Sequence, residues 1–256
     1  MSRKKMRKSN VAMLSLLGLF ALVVVMFVGF ARITYSRMTS GEYSDYDDFG
    51  SVGFSDLTTR EFDLRDFKSV KIYGSGDIEL EQGDDWLVEV TYPRGIEDRL
   101  KVEVDGDELV INPGRFGGQN WGSGWDWWRN HDNKMTARIV MPELETLDIA
   151  GASNLEFNGF SGDKLIIITA GASNIEGDGG DYQELTLTMS GAGNVDMRDM
   201  SFVDANVIIS GAGNVQLEMA GGVLSGVLSG FCNVEYYGKV SDERVKISGF
   251  GKVTQK

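Results

Sequence analysis

The sequence AGASNLE at residues 150–156 returns twenty residues later as AGASNIE at 170–176. Diverged copies follow as SGAGNVD (190–196), SGAGNVQ (210–216), SGFCNVE (229–235) and SGFGKVT (248–254). One column of these six copies contains Asn154, Asn174, Asn194, Asn214, Asn233 and then Lys252, at spacings of 20, 20, 20, 19 and 19 residues. A self-similar period of this length predicts a repeat architecture in which each unit stacks on its neighbours.

Each copy predicts two short strands joined through a Gly-rich corner. Apolar and polar residues alternate on both sides of the corner, as a strand with one buried face requires. The first predicted inward column is Leu147, Ile167, Leu187, Val207, Gly226 and Val245. The second is Leu155, Ile175, Val195, Val215, Val234 and Val253. We therefore predict an all-β fold, a β-helix-like parallel β-solenoid with coils of about 20 residues stacked about 4.8 Å apart.

The corner residues favour a structural interpretation. Gly allows backbone angles that are closed to other residues, and Asn tolerates left-handed geometry while bonding the nearby backbone. Stacked Asn side chains can also hydrogen-bond from coil to coil. Because a corner repeated identically has no single focus, we interpret the five Asn as a structural ladder rather than a ligand site. The lone Cys, Cys232, shares a column with Ser153 and Gly193 and is interpreted as a small filler.

One outward column departs from the alternation. The positions that follow the first inward column are Asp148, Ile168, Thr188, Ile208, Val227 and Lys246. Three of its four central members are apolar, although this face should point to solvent. We expect the first half of the chain to cover this stripe, with a partner protein as the alternative.

The first half of the chain contains a diverged copy of the unit and several predicted strands. In FKSVKIYGSGDIEL (67–80), Gly74 and Asp77 occupy the Gly and Asn positions of the corner. Alternating segments with turn signals between them predict further strands at 86–92, 100–104, 109–112 and 135–141.

An insertion at 117–133, GGQNWGSGWDWWRNHDN, contains four of the five Trp residues. Exposed indole rings can stack on sugar rings, and polar neighbours can supply hydrogen bonds. The candidate ligand-binding residues are Trp121, Trp125, Trp127, Trp128, Asp126 and Arg129. The alternative is that this loop folds back over an open edge of the solenoid.

The N-terminus predicts a transmembrane helix. Val11–Phe30 is uncharged, and its twenty residues match the ~30 Å hydrocarbon core of a bilayer. Five basic residues precede it and fewer follow, so the positive-inside rule keeps the N-terminus in the cytoplasm. We predict a single-pass protein of the bacterial inner membrane. Secretion after signal-peptide cleavage at Gly29-Phe30-Ala31 is the alternative.

The predicted organisation therefore has five parts. They are a basic cytoplasmic tail (1–10), a signal anchor (11–32), a flexible acidic linker (33–59), a β-rich first half (60–142) and regular repeats (143–256).

The composition of the chain argues against several classes of function. Six basic and no acidic residues lie in 1–32, which leaves 19 basic against 38 acidic residues, or 19 − 38 = −19, for the remainder. Such an acidic body repels phosphate backbones, which argues against nucleic-acid binding. With one His and one Cys, we expect no metal, no cofactor and no catalytic set. The rival is a glycosidase or lyase that uses two carboxylates of one groove, drawn from Glu156, Glu176, Asp196 and Glu235.

These features resemble the bacterial head GIN domain family of autotransporter adhesins. The resemblance covers about residues 61–256 and rests on FKSVKIYGSGDIELEQG, LKVEVDGDELVINP, the recurrent SGAGNV and the terminal SGFGKV. It implies an extracytoplasmic, right-handed parallel β-helix-like fold with no catalytic motif. The anchor and the Trp-rich insertion depart from a typical secreted member and favour a membrane-tethered protein. We expect a noncatalytic adhesion or scaffolding module whose partner is an envelope polysaccharide or protein.

Overall fold

A computed structural model describes residues 57–114 and 135–256. The predicted anchor and the Trp-rich insertion lie outside these residues. The described ranges form an eleven-stranded sheet and contain no helix, so none there is long and apolar enough to cross a membrane. The strands are β1 (Leu57–Phe62), β2 (Ser69–Gln82), β3 (Leu87–Pro93), β4 (Lys101–Asp105), β5 (Glu108–Asn112), β6 (Met135–Met141), β7 (Thr146–Asn158), β8 (Gly162–Ala220), β9 (Val223–Lys239), β10 (Asp242–Ile247) and β11 (Phe250–Gln255). The all-β prediction is confirmed.

The length of the sequence repeat equals the residue offset at which neighbouring strands of the sheet pair. β7 pairs with β8 in parallel at an offset of twenty residues, so that Asn154 lies beside Asn174. β8 is 59 residues long, close to three periods, and pairs in parallel with β9 at an offset of nineteen. β10 and β11 continue the parallel pairing on β9. Each unit therefore hydrogen-bonds to the equivalent residues of the next one.

The two predicted inward columns form the core. Leu147, Ile167, Leu187 and Val207 are fully buried, and their column reaches Val245 in the last unit. In the second column, five members from Leu155 to Val234 are at most 2% exposed. Because every second side chain points inward, stacking the units buries a continuous apolar interior. Both predicted columns are confirmed.

A third buried set lies in the segments that connect successive copies of the repeat. Phe160, Tyr182 and Phe202 are almost completely buried, and the rings of Tyr182 and Phe202 stack with centroids 6.4 Å apart. The Tyr182 hydroxyl donates a hydrogen bond to the Leu144 carbonyl oxygen at 2.9 Å. Burial is the main cause that raises the pKa of Tyr182, with a smaller contribution from the charge of Glu145.

The first half of the chain adds to the stack at its N-terminal end. β2 pairs in parallel with β7 and places Gly74 beside Gly151 and Asp77 beside Asn154, as predicted. On the other side of β2, β5 pairs with residues 69–72 and β6 pairs with residues 76–82. The antiparallel strands β3, β1 and β4 extend this end.

One predicted boundary is wrong: β1 begins at Leu57, inside the predicted linker, because residues 57–62 pair with β3. The strands of the first half within residues 57–114 and 135–141 do not cover the apolar stripe, since Ile168 and Ile208 are each 38% exposed and Val227 is 43% exposed. The reason is the direction in which this part of the first half packs. Its strands continue the hydrogen-bonded ladder and do not lie across the outer face.

The Gly column of the corner allows the units to approach each other closely. Gly191 has φ +132°, and a Cβ at this position would collide with the carbonyl oxygen of Gly171 in the preceding unit. Gly171 stands in the same relation to Gly151, and Gly211 to Gly191. The corner therefore requires Gly for both its backbone angles and its lack of a side chain.

We expect Gly191→Ala to destabilise the protein far more than Gly221→Ala. Both glycines have positive φ, but a Cβ on Gly221 (φ +105°) meets nothing within 4 Å. Gly221→Ala should cost about 1–3 kcal/mol of backbone strain, whereas Gly191→Ala adds a collision with backbone and should cost at least about 2 kcal/mol more. Urea unfolding of both variants measures the difference. Equal losses would contradict a steric role for the corner.

A buried polar column lies on the inner side of the corner. The Thr169 hydroxyl donates to the Ser173 Oγ at 3.0 Å, and both residues are 3% exposed. In the preceding unit, Ser153 is equally buried, but its Oγ has no hydrogen-bond partner among the described residues. The cause is that Ile149 stands where the next unit has Thr169.

Ser173→Ala and Ser153→Ala should therefore differ in stability. Ser173→Ala leaves the Thr169 hydroxyl buried without its acceptor and should cost about 1–2 kcal/mol. Ser153→Ala removes a hydroxyl that is already unsatisfied, so the free energy of unfolding should stay the same or rise. Chemical denaturation of the two variants tests this, and a comparable loss in both would show that the hydrogen bond contributes nothing.

Candidate interaction surface along the corners

Two outward columns flank the corner, and together we call them the corner ridge. The first contains Ala152, Ala172, Ala192, Ala212, Phe231 and Phe250. The second contains Asp77, Asn154, Asn174, Asn194, Asn214, Asn233 and Lys252. Because the units pair in register, each column is a straight row of equivalent side chains spaced about 4.8 Å apart.

The structure brings the five predicted Asn residues together in one line of hydrogen bonds. The Nδ2 group of each Asn donates to the Oδ1 of the preceding one, at 3.1, 3.2, 3.0 and 3.0 Å from Asn174 to Asn233. The first Asn, Asn154, donates to an Asp77 carboxylate oxygen at 2.8 Å. Since a carboxylate only accepts hydrogen bonds, Asp77 fixes the orientation of the Asn154 amide. It thereby also fixes the orientation of each later Asn amide along the ladder.

The charged residues at the two ends of the ladder complement the direction of its amide dipoles. All five side-chain amides point their N–H groups towards Asp77 and their oxygens towards the last unit. There Lys252 occupies the position in register with Asn233. A carboxylate at the N–H end and an ammonium at the oxygen end complement aligned amide dipoles, much as charges complement a helix dipole. This arrangement gives the ladder a structural role.

An exposed aromatic pair lies at the C-terminal end of the ridge. Phe231 is 69% exposed and Phe250 is 75% exposed, and their rings stack with centroids 5.3 Å apart and planes at 11°. The four equivalent positions before them are Ala. Sequence reasoning missed this pair, although the signal was present: Phe replaces Ala twice in a column whose neighbours point outward.

The predicted ligand-binding residues of the Trp-rich insertion lie outside the described residues. They are Trp121, Trp125, Trp127, Trp128, Asp126 and Arg129. The flanking strands are described: β5 pairs with β2 before its corner, and β6 pairs with β2 after it. Pro113 and Met135, one on each side of the insertion, lie beside Gly74 and Gly76 of that corner.

Beside the ladder runs an outward row of carboxylates. It contains the four acids of the enzyme alternative, Glu156, Glu176, Asp196 and Glu235. Arg198 binds Asp196 with two hydrogen bonds, 2.8 and 2.6 Å long, and Lys256 lies 3.3 Å from Glu235. Within residues 57–114 and 135–256, no group of three or more His, Cys, Asp or Glu side chains is placed to hold a metal ion. The row is an open, partly neutralised polar face.

Two further features lie off the ridge. A shallow cavity of about 520 Å³ is lined by charged groups that include Lys68, Glu143 and Glu145, and Lys68 binds both glutamates. It contains none of the predicted site residues. Cys232 is 2% exposed, and burial raises the pKa of its thiol. Both properties suit the interpretation of Cys232 as a small filler.

The fold and the ridge define a class of protein: an all-β chain whose units pair in parallel and in register and expose one continuous polar corner. Over residues 66–239 the chain matches the family described as "Putative auto-transporter adhesin, head GIN domain", and it belongs to this family. The resemblance carried by the sequence motifs is confirmed. Family membership identifies the chain as an adhesion-type extracellular module.

One solved structure is similar to this chain in its fold, and two others match with lower scores. A "putative adhesin" from Bacteroides fragilis is 18% identical, with a TM-score of 0.53 over 78% of this chain and 97% of that one. A "putative adhesin" and a "Putative lipid binding protein" from Parabacteroides distasonis, each 18% identical, give TM-scores of 0.45 and 0.47. They cover 80% and 78% of this chain and 98% and 97% of their own. No curated protein matches the chain.

The Asp196–Arg198 pair predicts a local pH dependence. The hydrogen bonds from Arg198 lower the pKa of Asp196 below its ordinary value of about 3.9. Because the folded-state pKa is depressed, the stabilisation is present above the unfolded pKa and is lost as the pH falls through the folded one. A carbon-detected NMR titration should find the Asp196 pKa below the ordinary value and find it raised in Arg198→Gln. An unchanged Asp196 titration in Arg198→Gln would contradict the pairing.

Proposed function

We propose that the chain is a membrane-tethered β-solenoid of the bacterial envelope and that its corner ridge is a noncatalytic adhesion surface. The single observation that carries this proposal is the exposed Phe231–Phe250 pair in a column that has Ala in the four preceding units. Two aromatic rings with 69% and 75% exposure are apolar surface that the fold of this chain does not use. A rigid surface with exposed aromatics is suited to recognition.

The ladder supports this proposal by making the ridge rigid. Every unit from Asp77 to Asn233 is tied to the next through a side-chain hydrogen bond in addition to the backbone pairing. A binding surface that is ordered before the partner arrives loses little conformational entropy on binding. The regular units thus serve as a scaffold that holds the aromatic positions at fixed spacing.

The chemistry of the ridge favours a polysaccharide partner over a protein partner. Aromatic faces stack on the apolar faces of sugar rings, while Asn side chains offer both donors and acceptors to hydroxyl groups. The proposal includes the four Trp residues of the insertion as further sugar-stacking candidates, because the residues on its two sides, Pro113 and Met135, lie beside the corner of β2. In this proposal the ridge contacts an extended glycan of the envelope along its length.

Membrane tethering is supported by the sequence at residues 1–32. The basic start and the uncharged run Val11–Phe30 have the charge asymmetry and the length of an uncleaved signal anchor. The proposal therefore puts the N-terminus in the cytoplasm and the β-strands outside the inner membrane, joined by the acidic segment that ends before Leu57. The adhesin family to which the chain belongs supports an envelope location.

Substituting the aromatic pair tests the proposal. The double variant Phe231→Ala/Phe250→Ala, in the full chain reconstituted in nanodiscs, should bind isolated envelope polysaccharide about 5- to 150-fold more weakly, since the two aromatic contacts together contribute about 1–3 kcal/mol. Its melting temperature should stay close to that of the unsubstituted chain, because both rings are exposed.

Leu57→Ala is the matched control, because Leu57 is an exposed apolar residue (40%) in β1, away from the ridge. It should leave binding unchanged. Binding that is insensitive to the Phe substitutions would refute the role of the pair, and binding to envelope proteins alone would refute the choice of a glycan partner.

A further inference from the structure

The corner separates two outward faces, and one of them carries the carboxylate row. The other has no charged outward side chain over four successive units, and we call it the uncharged face. Its outward residues are Ile166, Ile168, Ala170, Thr186, Thr188, Ser190, Asn206, Ile208, Ser210, Ser225, Val227 and Ser229. None of these twelve side chains is buried. In a body with a formal charge of −19, an exposed sheet face without a single charge is a surface suited to packing against another protein.

The two ends of the uncharged face carry opposite charge. At the N-terminal end, Asp148 and Glu108 lie 2.9 and 3.8 Å from the Lys71 Nζ, so two carboxylates share one ammonium and leave a net charge of −1. At the C-terminal end, Lys246 continues the same column as Asp148. Arg244 lies beside it on the same strand and is bound by Asp242 at 2.6 Å, so this end has a net charge of +1.

We propose that the uncharged face is an interface between two copies of this chain, packed face to face with their stacks antiparallel. A two-fold axis along the strand direction reverses the order of the units. It sets Ile168 opposite the partner's Val227 and Thr188 opposite the partner's Ile208. It also sets Asp148 opposite the partner's Lys246, so that each net negative end meets a net positive end.

The charges exclude the parallel arrangement. With both stacks running in the same direction, Asp148 would face the partner's Asp148, and Lys246 would face the partner's Lys246. Like charges directly opposite each other destabilise a pair of sheets, whereas opposite charges stabilise it. Small and β-branched side chains on both faces allow the approach to about 10 Å that is usual for packed sheets.

The size of the face predicts a weak dimer. The four units of the uncharged face and the charged unit at each end, over about five residues of strand, cover roughly 24 by 16 Å, or about 400 Å² per copy. A stable interface of standard size buries about 800 Å² per partner. The dimer is therefore concentration-dependent and exchanges rapidly, which makes covalent trapping the appropriate measurement.

Crosslinking of thiols by a short bismaleimide, with the full chain in detergent micelles, tests both the surface and the direction. Sheets packed about 10 Å apart hold facing Cα atoms beyond the ~7 Å that a disulfide spans, so a reagent has to bridge the gap. In a Cys232→Ser background, the double variant Ile168→Cys/Val227→Cys places thiols that face each other only across the antiparallel interface. Within one copy the two positions are three layers, about 14 Å, apart, and a crosslink between them would not produce a dimer. We expect a crosslinked dimer to form about tenfold faster than in the control Glu176→Cys/Glu235→Cys. That control has thiols in the same two units but on the carboxylate face.

Two more variants complete the test. Ile168→Cys alone should not form dimers above the control rate, because the antiparallel arrangement keeps the two equivalent positions apart. Adding Lys246→Glu to the double variant should slow trapping about two- to fivefold at low salt, since an exposed charge pair becomes a like-charged one. Circular dichroism melting checks that each variant is folded.

Each part of the proposal has its own contradicting outcome. Trapping of Ile168→Cys/Val227→Cys at the rate of the Glu176→Cys/Glu235→Cys control would overturn the interface. Rapid trapping of Ile168→Cys alone would overturn the antiparallel arrangement. A lack of any effect of Lys246→Glu would overturn the charge pairing on which that arrangement rests.

Discussion

The structure depends on the close approach of backbone to backbone at the Gly corners. At Gly171, Gly191 and Gly211, the space that a side chain would need is taken by the carbonyl oxygen of the preceding Gly. A larger residue would push one layer away from the next and break the parallel hydrogen bonds on both sides of the corner. Because the same condition holds in unit after unit, it locks the register of the sheet to the twenty-residue period. The buried columns and the Asn ladder follow from that register.

The corner also separates two surfaces with different chemistry. On one side, the Asn ladder and the carboxylate row give a polar face whose direction is set by Asp77 at one end. On the other side, Ser, Thr and Ile give an uncharged face. In our proposals, the first surface binds a glycan and the second packs against another copy of the chain. The exposed aromatic pair, Phe231 and Phe250, lies on the ridge between these faces.

The sequence predicts the repeat, the two core columns and the place of Gly74 and Asp77 in the first unit, because each depends only on spacing and alternation. It does not predict how the first half packs. Sequence shows that Ile168 and Ile208 break the alternation, but whether other strands cover them depends on whether β5 and β6 extend the ladder or cross the face. The third buried set, Phe160, Tyr182 and Phe202, lies in the part of the unit where identity between copies is low. The exposed Phe pair was open to prediction, since its column was already known from the repeat.

Deletion of one period tests the central claim, that the twenty-residue unit is the structural unit of this chain. Removing residues 171–190 joins Ala170 to Gly191, so that Gly191 takes the place of Gly171 beside Gly151. Removing residues 174–190 instead joins Ser173 to Gly191 and shifts every following corner by three residues. Thermal unfolding followed by circular dichroism should show a cooperative β-sheet transition for the first deletion and none for the second. Similar behaviour of the two deletions would contradict the account.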